Sequence, residues 1–178
     1  MKTSVKVSLG GIIAALSIVL MFLTSLLPFG TYAFPTLSGI LLIIIVIEIG
    51  YPWAFSVYAA VAILSFLLLS DKEAALYYAL FLGFYPIVKS FIERIRSRAI
   101  QYLIKFALFN ACMIAAFYIG ISLLSIPKES FELFGVYLPW VFLILGNLFF
   151  TLYDIGVTKF VTIYLNKWHK KIRKNTKL

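Results

Sequence analysis

Apolar residues fill six blocks of this 178-residue chain, and each block has the composition of a helix that crosses a bilayer. Residues that form turns or carry charge separate several of the blocks, among them Pro28, Gly50, Pro52 and Asp71. The predicted helices cover residues 7–27, 36–49, 53–69, 74–91, 103–124 and 136–165. The pattern therefore predicts an all-α polytopic membrane protein built as a bundle of six transmembrane helices.

Local signals refine the fourth and sixth helices. Ser70 or Asp71 is expected to cap the fourth helix, because short polar side chains bind the free N–H groups of a first turn. Pro86 lies inside the same helix, where its missing N–H predicts a kink. Pro139 falls in the first turn of the sixth helix, where proline is tolerated.

Two connecting segments have a distinctive pattern. Residues 29–35 are uncharged, aromatic and rich in turn formers, which predicts a loop after the first helix. Residues 89–105 mix basic and apolar side chains, which predicts an amphipathic helix at the membrane surface.

Lysine and arginine are sorted to one side of the predicted bundle. Of the sixteen cations, only Lys72 and Lys128 fall in the connections that would lie on the other side. Basic segments are retained on the cytoplasmic side of a membrane. The sorting predicts cytoplasmic termini and a first loop outside. We expect one transmembrane domain over residues 1–166 and a basic cytoplasmic tail over residues 167–178.

Composition supports a bilayer as the solvent for this chain. Apolar residues make up 63% of the sequence, and the mean hydropathy is +1.02, well above the values of soluble domains. The net charge of +9 comes from cations next to apolar spans, so it indicates contact with anionic lipid headgroups and not with nucleic acid. We expect a multi-pass protein of a bacterial plasma membrane.

The sequence lacks the residues that usually carry catalysis. The only histidine, His169, lies in the tail, and the only cysteine, Cys112, lies in an apolar helix. Asp154 and Glu48 are the only acids in or near the apolar blocks, and they belong to different helices. Without a buried general base or a metal-binding motif, we expect no enzyme, no metal site and no cofactor.

The first helix carries small residues at a spacing of four. Gly10 and Ala14 form one pair, and Gly11 and Ala15 form another. Residues four apart return to the same face of a helix, so each pair makes a flat strip that another helix can approach closely. The strip serves either packing within the bundle or contact with a partner protein.

Three polar residues are expected inside the membrane. Asn110 and Asn147 are predicted to face the bundle interior and to bond across helices. Asp154 lies two turns beyond Asn147 on nearly the same face and needs a cation, for which Lys89, Lys105 and Lys159 are available. These groups either join helices or, for Asn147, contact a ligand that arrives from outside.

Aromatic residues concentrate at the predicted outer surface. They either form the usual belt at the headgroups or cover a flat, apolar ligand held between helices. With Asn147, the candidate ligand-binding residues are Phe29, Tyr32, Phe34, Tyr78 and Trp140.

The chain resembles the substrate-binding S component of energy-coupling factor (ECF) vitamin transporters. The likeness lies in the basic N-terminus that leads into the Gly10–Ala15 strip, the small size, the six helices with both ends inside and the aromatic first loop. The resemblance implies docking of Gly10, Gly11, Ala14 and Ala15 on a transmembrane coupling subunit, with residues 29–36 as a lid. It also implies capture of a small vitamin-like nutrient from outside, and import driven by a separate pair of ATPases.

Two other functions are compatible with the same sequence. One is a non-catalytic scaffolding protein similar to the small rod-shape-determining membrane proteins, in which helix faces and basic inner loops recruit partners. The other is an autonomous small transporter that uses Asp154 for proton coupling.

Overall fold

The structure is a computed structural model that describes residues 2–27, 30–123, 132–133, 136–137 and 139–169. Within these residues, seven α-helices run in chain order: α1 Thr3–Phe22, α2 Gly30–Glu48, α3 Tyr51–Leu68, α4 Lys72–Tyr77, α5 Tyr85–Ile92, α6 Arg98–Leu123 and α7 Pro139–Ile163. A 3-10 turn at Leu23–Ser25 extends α1, and π-helical segments follow α4 at Tyr78–Leu82 and α7 at Tyr164–His169.

In the described residues, six helical segments are long and apolar enough to cross a membrane. They are Thr3–Ser25, Gly30–Glu48, Tyr51–Leu68, Lys72–Ile92, Arg98–Leu123 and Trp140–Lys167. The predicted all-α bundle of six spans is confirmed, and the chain is a multi-pass membrane protein. The one sheet in the described residues is an antiparallel pair of two-residue strands, β1 Glu132–Leu133 and β2 Val136–Tyr137.

Polar contacts at the two ends of the bundle agree with alternating spans. At one end, Thr31 at the start of α2 bonds to Asp71 at the start of α4. At the opposite end, the Tyr164 hydroxyl donates to Glu48 at the end of α2. We call these the first-connection end and the basic end, since the exposed arginines of the turn between α5 and α6 lie at the latter.

The loop predicted over residues 29–35 is wrong for its described part, because α2 already begins at Gly30. Local packing and polar anchors stabilise these first turns. The Phe34 ring packs over Gly30, where a side chain would collide with it, and the Thr36 hydroxyl donates to the Tyr32 carbonyl. A lid over residues 29–36 is therefore not a free loop; Phe29 itself lies outside the described residues.

The basic residues near two helix ends are helical, contrary to the predicted boundaries. α1 begins at Thr3, four residues earlier than predicted, and α6 begins at Arg98, five residues earlier. Lysine and arginine are good helix formers, and their long stems let the charges reach the headgroups from inside a helix. The surface helix predicted over residues 89–105 is wrong, because α5 ends at Ile92 and a turn separates it from α6.

The fourth span is broken near its middle, where the sequence predicts only a kink. Asp71 caps α4 as expected, its carboxylate accepting from the Ala74 N–H at 2.9 Å. The π-helical segment then ends when the Gly83 N–H bonds five residues back to the Tyr78 carbonyl. α5 starts afresh at Tyr85 with Pro86 in its first turn.

The fourth span lies at the centre of the bundle. In its apolar 18-residue stretch, 61% of the residues are buried, against 17–39% in the corresponding stretches of the other five spans. One apolar cluster joins it to α1, α2 and α3 around Tyr78. A second, mainly aromatic cluster joins it to α2, α6 and α7 around Phe81 and Phe150. The break therefore lies where both halves of the bundle meet.

Candidate functional site

A network of four charged side chains lies inside the basic end of the bundle. Asp154 on α7 accepts from Lys89 on α5 and from the Tyr85 hydroxyl. Lys105 on α6 reaches the same carboxylate at 3.1 Å. Both lysines also lie 2.8 Å from the Glu93 carboxylate. The charges sum to zero, so the network ties α5, α6 and α7 together without a net buried charge.

The network is graded from the interior toward solvent. Lys89 and Lys105 are almost completely buried, whereas the Glu93 side chain is 39% exposed. In the described part of the chain, no three acids, histidines or cysteines come together as a metal site would need. The four side chains of the network form ion pairs, and Glu93 is the one that is accessible to solvent.

Part of this network follows from the sequence. The sequence offers Lys89, Lys105 and Lys159 as partners for Asp154; the structure brings Lys89 and Lys105 to it, while Lys159 is exposed. Tyr85 and Glu93 are not among the predicted partners. The spacing of four between Lys89 and Glu93 was a usable signal for Glu93, since residues four apart on a helix form ion pairs.

The pKa of Glu93 makes the stability of this end depend on pH. Burial by itself raises the pKa of this carboxyl, but the ammonium groups of Lys105 and Lys89 outweigh burial and hold it below its ordinary value. A lowered pKa adds stability above the unfolded value of about 4.3 and loses it as the pH falls toward the folded value. We expect the unfolding temperature to fall as the pH drops below about 4.3, and to fall less steeply in Glu93→Gln. If the unfolding temperature fell equally steeply with pH in the unmodified protein and in Glu93→Gln, this role of Glu93 would be contradicted.

Two tyrosines bond to backbone carbonyls of the broken fourth span. Pro86 has no N–H for the Leu82 carbonyl four residues earlier, and the Tyr153 hydroxyl from α7 donates to that carbonyl at 2.9 Å. The Gly83 N–H bonds to Tyr78 and not to Ala79, and the Tyr58 hydroxyl from α3 donates to the Ala79 carbonyl instead. Side chains of neighbouring helices thereby satisfy these two carbonyls at membrane depth.

A polar and aromatic cluster joins α2 and α4 at the first-connection end. The Tyr32 hydroxyl donates to Glu73 at 3.1 Å, and the Tyr32 and Tyr77 rings lie 5.1 Å apart. Next to them, the Thr31 hydroxyl donates to Asp71 at 3.0 Å. Tyr32 remains 57% exposed, so this cluster presents an aromatic face beside two carboxylates.

The candidate aromatic residues lie in different environments. Tyr32 is exposed and packs on the buried Tyr77, and Phe34 is half-buried against Gly30. Tyr78 is completely buried in the π-helical segment, and Trp140 is 72% exposed on the bundle surface. The structure thus brings Tyr32 to polar partners that sequence reasoning did not name.

Asn147 and Asn110 form a reciprocal amide pair, as the sequence predicts for groups facing across helices. Each side-chain N–H donates to the other side-chain oxygen at 2.9 Å. Each amide also donates to a carbonyl of its own helix, at Phe106 and at Leu143. The pair joins α6 to α7, and a ligand that used Asn147 would have to replace these bonds.

The small-residue strip on α1 divides between two faces. Gly10 is buried, and a Cβ there would lie 3.4 Å from Val57 on α3. Ala14 packs against the same apolar cluster. Gly11 and Ala15 are exposed, and a Cβ on Gly11 would meet no atom within 4 Å. One pair therefore packs inside the bundle, and the other leaves a flat strip on its surface.

Comparisons with protein-family models, with curated proteins and with solved structures find no match for this chain.

Proposed function

We propose that this chain is the substrate-capture subunit of an ECF-type importer. It binds a small, vitamin-like nutrient at the first-connection end and passes it inward with a transmembrane coupling subunit and a pair of ATPases. The observation that supports this proposal most is the outward-facing pair Gly11 and Ala15 on α1. A small, flat strip on a peripheral helix is the surface that a partner helix needs for close backbone contact.

The surroundings of the strip suit contact with another helix. Ile12 and Leu16 are exposed beside it, so a partner would find apolar ridges next to a groove over Gly11. Such packing works in a bilayer because close contact between helices replaces less regular contact with lipid. In this proposal Gly10 and Ala14 act indirectly, by holding α1 against α3.

The first-connection end offers a place for the nutrient. An aromatic or heterocyclic ring fits against the exposed Tyr32 ring, which packs on the buried Tyr77. The Glu73 and Asp71 carboxylates accept hydrogen bonds from ring N–H or hydroxyl groups. The exposed arginines at positions 94, 96 and 98 lie at the opposite end. In a bacterial plasma membrane they would face the cytoplasm and its anionic headgroups.

Matched glycine substitutions test the docking surface. Gly11→Leu is expected to lower capture of the coupling subunit in pull-down by about tenfold or more, which corresponds to about 1.4 kcal/mol of lost binding. The unfolding temperature should stay within about 2 °C, because the substituted side chain meets no neighbour. Gly156→Leu is the control, since a Cβ on Gly156 of α7 also meets no atom within 4 Å.

The outcomes separate docking from folding. Gly10→Leu should lower the free energy of unfolding, because it places a side chain against Val57, where glycine leaves little room. If Gly11→Leu and Gly156→Leu retain equal capture, the exposed strip is not the docking face and the importer proposal loses its main support.

A second candidate function is a non-catalytic scaffold similar to rod-shape-determining membrane proteins. The closed Asn110–Asn147 pair favours it, because the amide that a ligand would use is already satisfied within the bundle. A scaffold needs rigid helix faces and no ligand. Normal cell shape and division after deletion of the gene would rule it out.

A further inference from the structure

Three hydroxyl groups in the interior have no hydrogen-bond partner among the described residues: Ser17, Ser38 and Tyr78. Ser38 on α2 and Tyr78 in the π-helical segment are both 0% exposed, and the two side chains lie close together. Neither reaches the other with the geometry of a hydrogen bond. Buried hydroxyls in folded proteins almost always have a partner, so this pair requires a physical explanation.

Ser38 lacks a local hydrogen bond that seven other serines and threonines in the described helices make. A hydroxyl on a helix can donate to the carbonyl four residues earlier, and this local bond satisfies it without any outside partner. The side chains that do so are Thr36, Ser56, Ser65, Ser122, Thr151, Thr158 and Thr162. The Ser38 hydroxyl makes no such bond and lies near the unpaired Tyr78 hydroxyl, so both hydroxyls can bind a third group.

The surroundings of the pair are aromatic and uncharged. The Tyr58 ring lies 5.9 Å from the Tyr78 ring, and Gly39 brings the α2 backbone against Leu82. The hydroxyls of Tyr58 and Tyr153 are already bonded to carbonyls of the broken span. Among the side-chain hydroxyls beside the break, those of Ser38 and Tyr78 are therefore the ones that have no hydrogen bond.

We propose that Ser38 and Tyr78 bind an uncharged hydrogen-bonding group beside the break in the fourth span. Each hydroxyl can donate one bond and accept two, which suits a water molecule or the hydroxyl, carbonyl or amide of a small ligand. An ionised group does not fit, because a charge here would lie in the bundle interior without a counter-ion. If the bound group belongs to a small ligand, this inference rests on the proposed nutrient capture. If the bound group is water, it does not.

Variants that remove one oxygen atom test the site in the full chain in vesicles of phosphatidylglycerol and phosphatidylethanolamine. Ser38→Ala and Tyr78→Phe each delete a hydroxyl and keep the packing of the remaining side chain. Ser65→Ala is the matched control, because Ser65 is equally buried but its hydroxyl is bonded to the Val61 carbonyl. Bound water is detected by solid-state NMR, as transfer of magnetisation from water protons to ¹³C-labelled tyrosine. The Tyr78 signal is assigned by its loss in Tyr78→Phe.

For bound water, we expect transfer to Tyr78 that weakens in Ser38→Ala and is unchanged in Ser65→Ala. For a bound ligand, mass spectrometry of the small molecules extracted from the protein should find a neutral polar compound. Its occupancy should fall about three- to tenfold in Ser38→Ala and in Tyr78→Phe, the effect of one lost hydrogen bond. Ser65→Ala should retain the compound.

The proposal is overturned if water transfer to Tyr78 is absent or unaffected by Ser38→Ala, and no extracted compound depends on either hydroxyl. The two groups would then satisfy only each other. An extract without any compound contradicts nutrient capture but not the site at Ser38 and Tyr78, because the water measurement still decides whether that site exists.

Discussion

Replacing Asp154 with asparagine is expected to lower the free energy of unfolding by about 3–5 kcal/mol, the usual cost of breaking a buried ion pair on one side. The carboxylate accepts bonds from Lys89, Lys105 and Tyr85. Without it, two almost completely buried ammonium groups share Glu93 as their remaining acid in the network. Reversible unfolding in mixed detergent micelles gives the free-energy difference.

A double-mutant cycle separates a buried pair from a general loss of packing. Lys89→Met with Asp154→Asn removes one cation and one anion, and leaves Lys105 paired with Glu93 at 2.8 Å. The double variant should therefore be more stable than the sum of the two single losses predicts. Strictly additive losses would show that Lys89 and Asp154 do not act as a pair.

Gly39→Ala is expected to destabilise the protein by about 1–3 kcal/mol, the typical cost of overpacking a well-packed interior. A Cβ on Gly39 would overlap the Leu82 carbonyl and lie 3.3 Å from the Tyr153 hydroxyl. The obstacle is backbone, so rotation of a side chain cannot relieve it. α2 would have to move away from the broken span and weaken the bond between Tyr153 and Leu82.

The same substitution at an open glycine should act in the opposite direction. Alanine is favoured over glycine inside a helix by about 0.5–1 kcal/mol, and Gly156 has room for a Cβ. Gly156→Ala is thus expected to be neutral or stabilising in the same unfolding experiment. Equal stabilities of Gly39→Ala and Gly156→Ala would contradict the close approach of α2 to the break.

The sequence predicts the membrane spans well because two independent patterns agree on them. Apolar blocks mark the helices, and the sorting of cations fixes their number. The partners of Asp154 also follow from the sequence, since an acid in a span needs a cation and Lys89 and Lys105 lie at the matching depth. Both inferences rest on the free-energy cost of burying polar or charged groups in a membrane, which applies to any helix bundle.

The errors occur where tertiary contacts override local signals. Gly30 and Pro35 are typical of turns, yet α2 includes both, because Thr31 and Tyr32 are anchored by Asp71 and Glu73. Pro86 signals a kink, but a full break forms because Tyr58 and Tyr153 supply hydrogen bonds from other helices. Neither contact can be read from the local sequence.

The central claim, capture of a nutrient, is tested most directly by mass spectrometry of small molecules extracted from freshly purified protein. We predict a vitamin-like compound in stoichiometric amount that raises the unfolding temperature when it is added back to the stripped protein. An extract without such a compound, together with no temperature shift in a mixture of vitamins, would contradict the importer account.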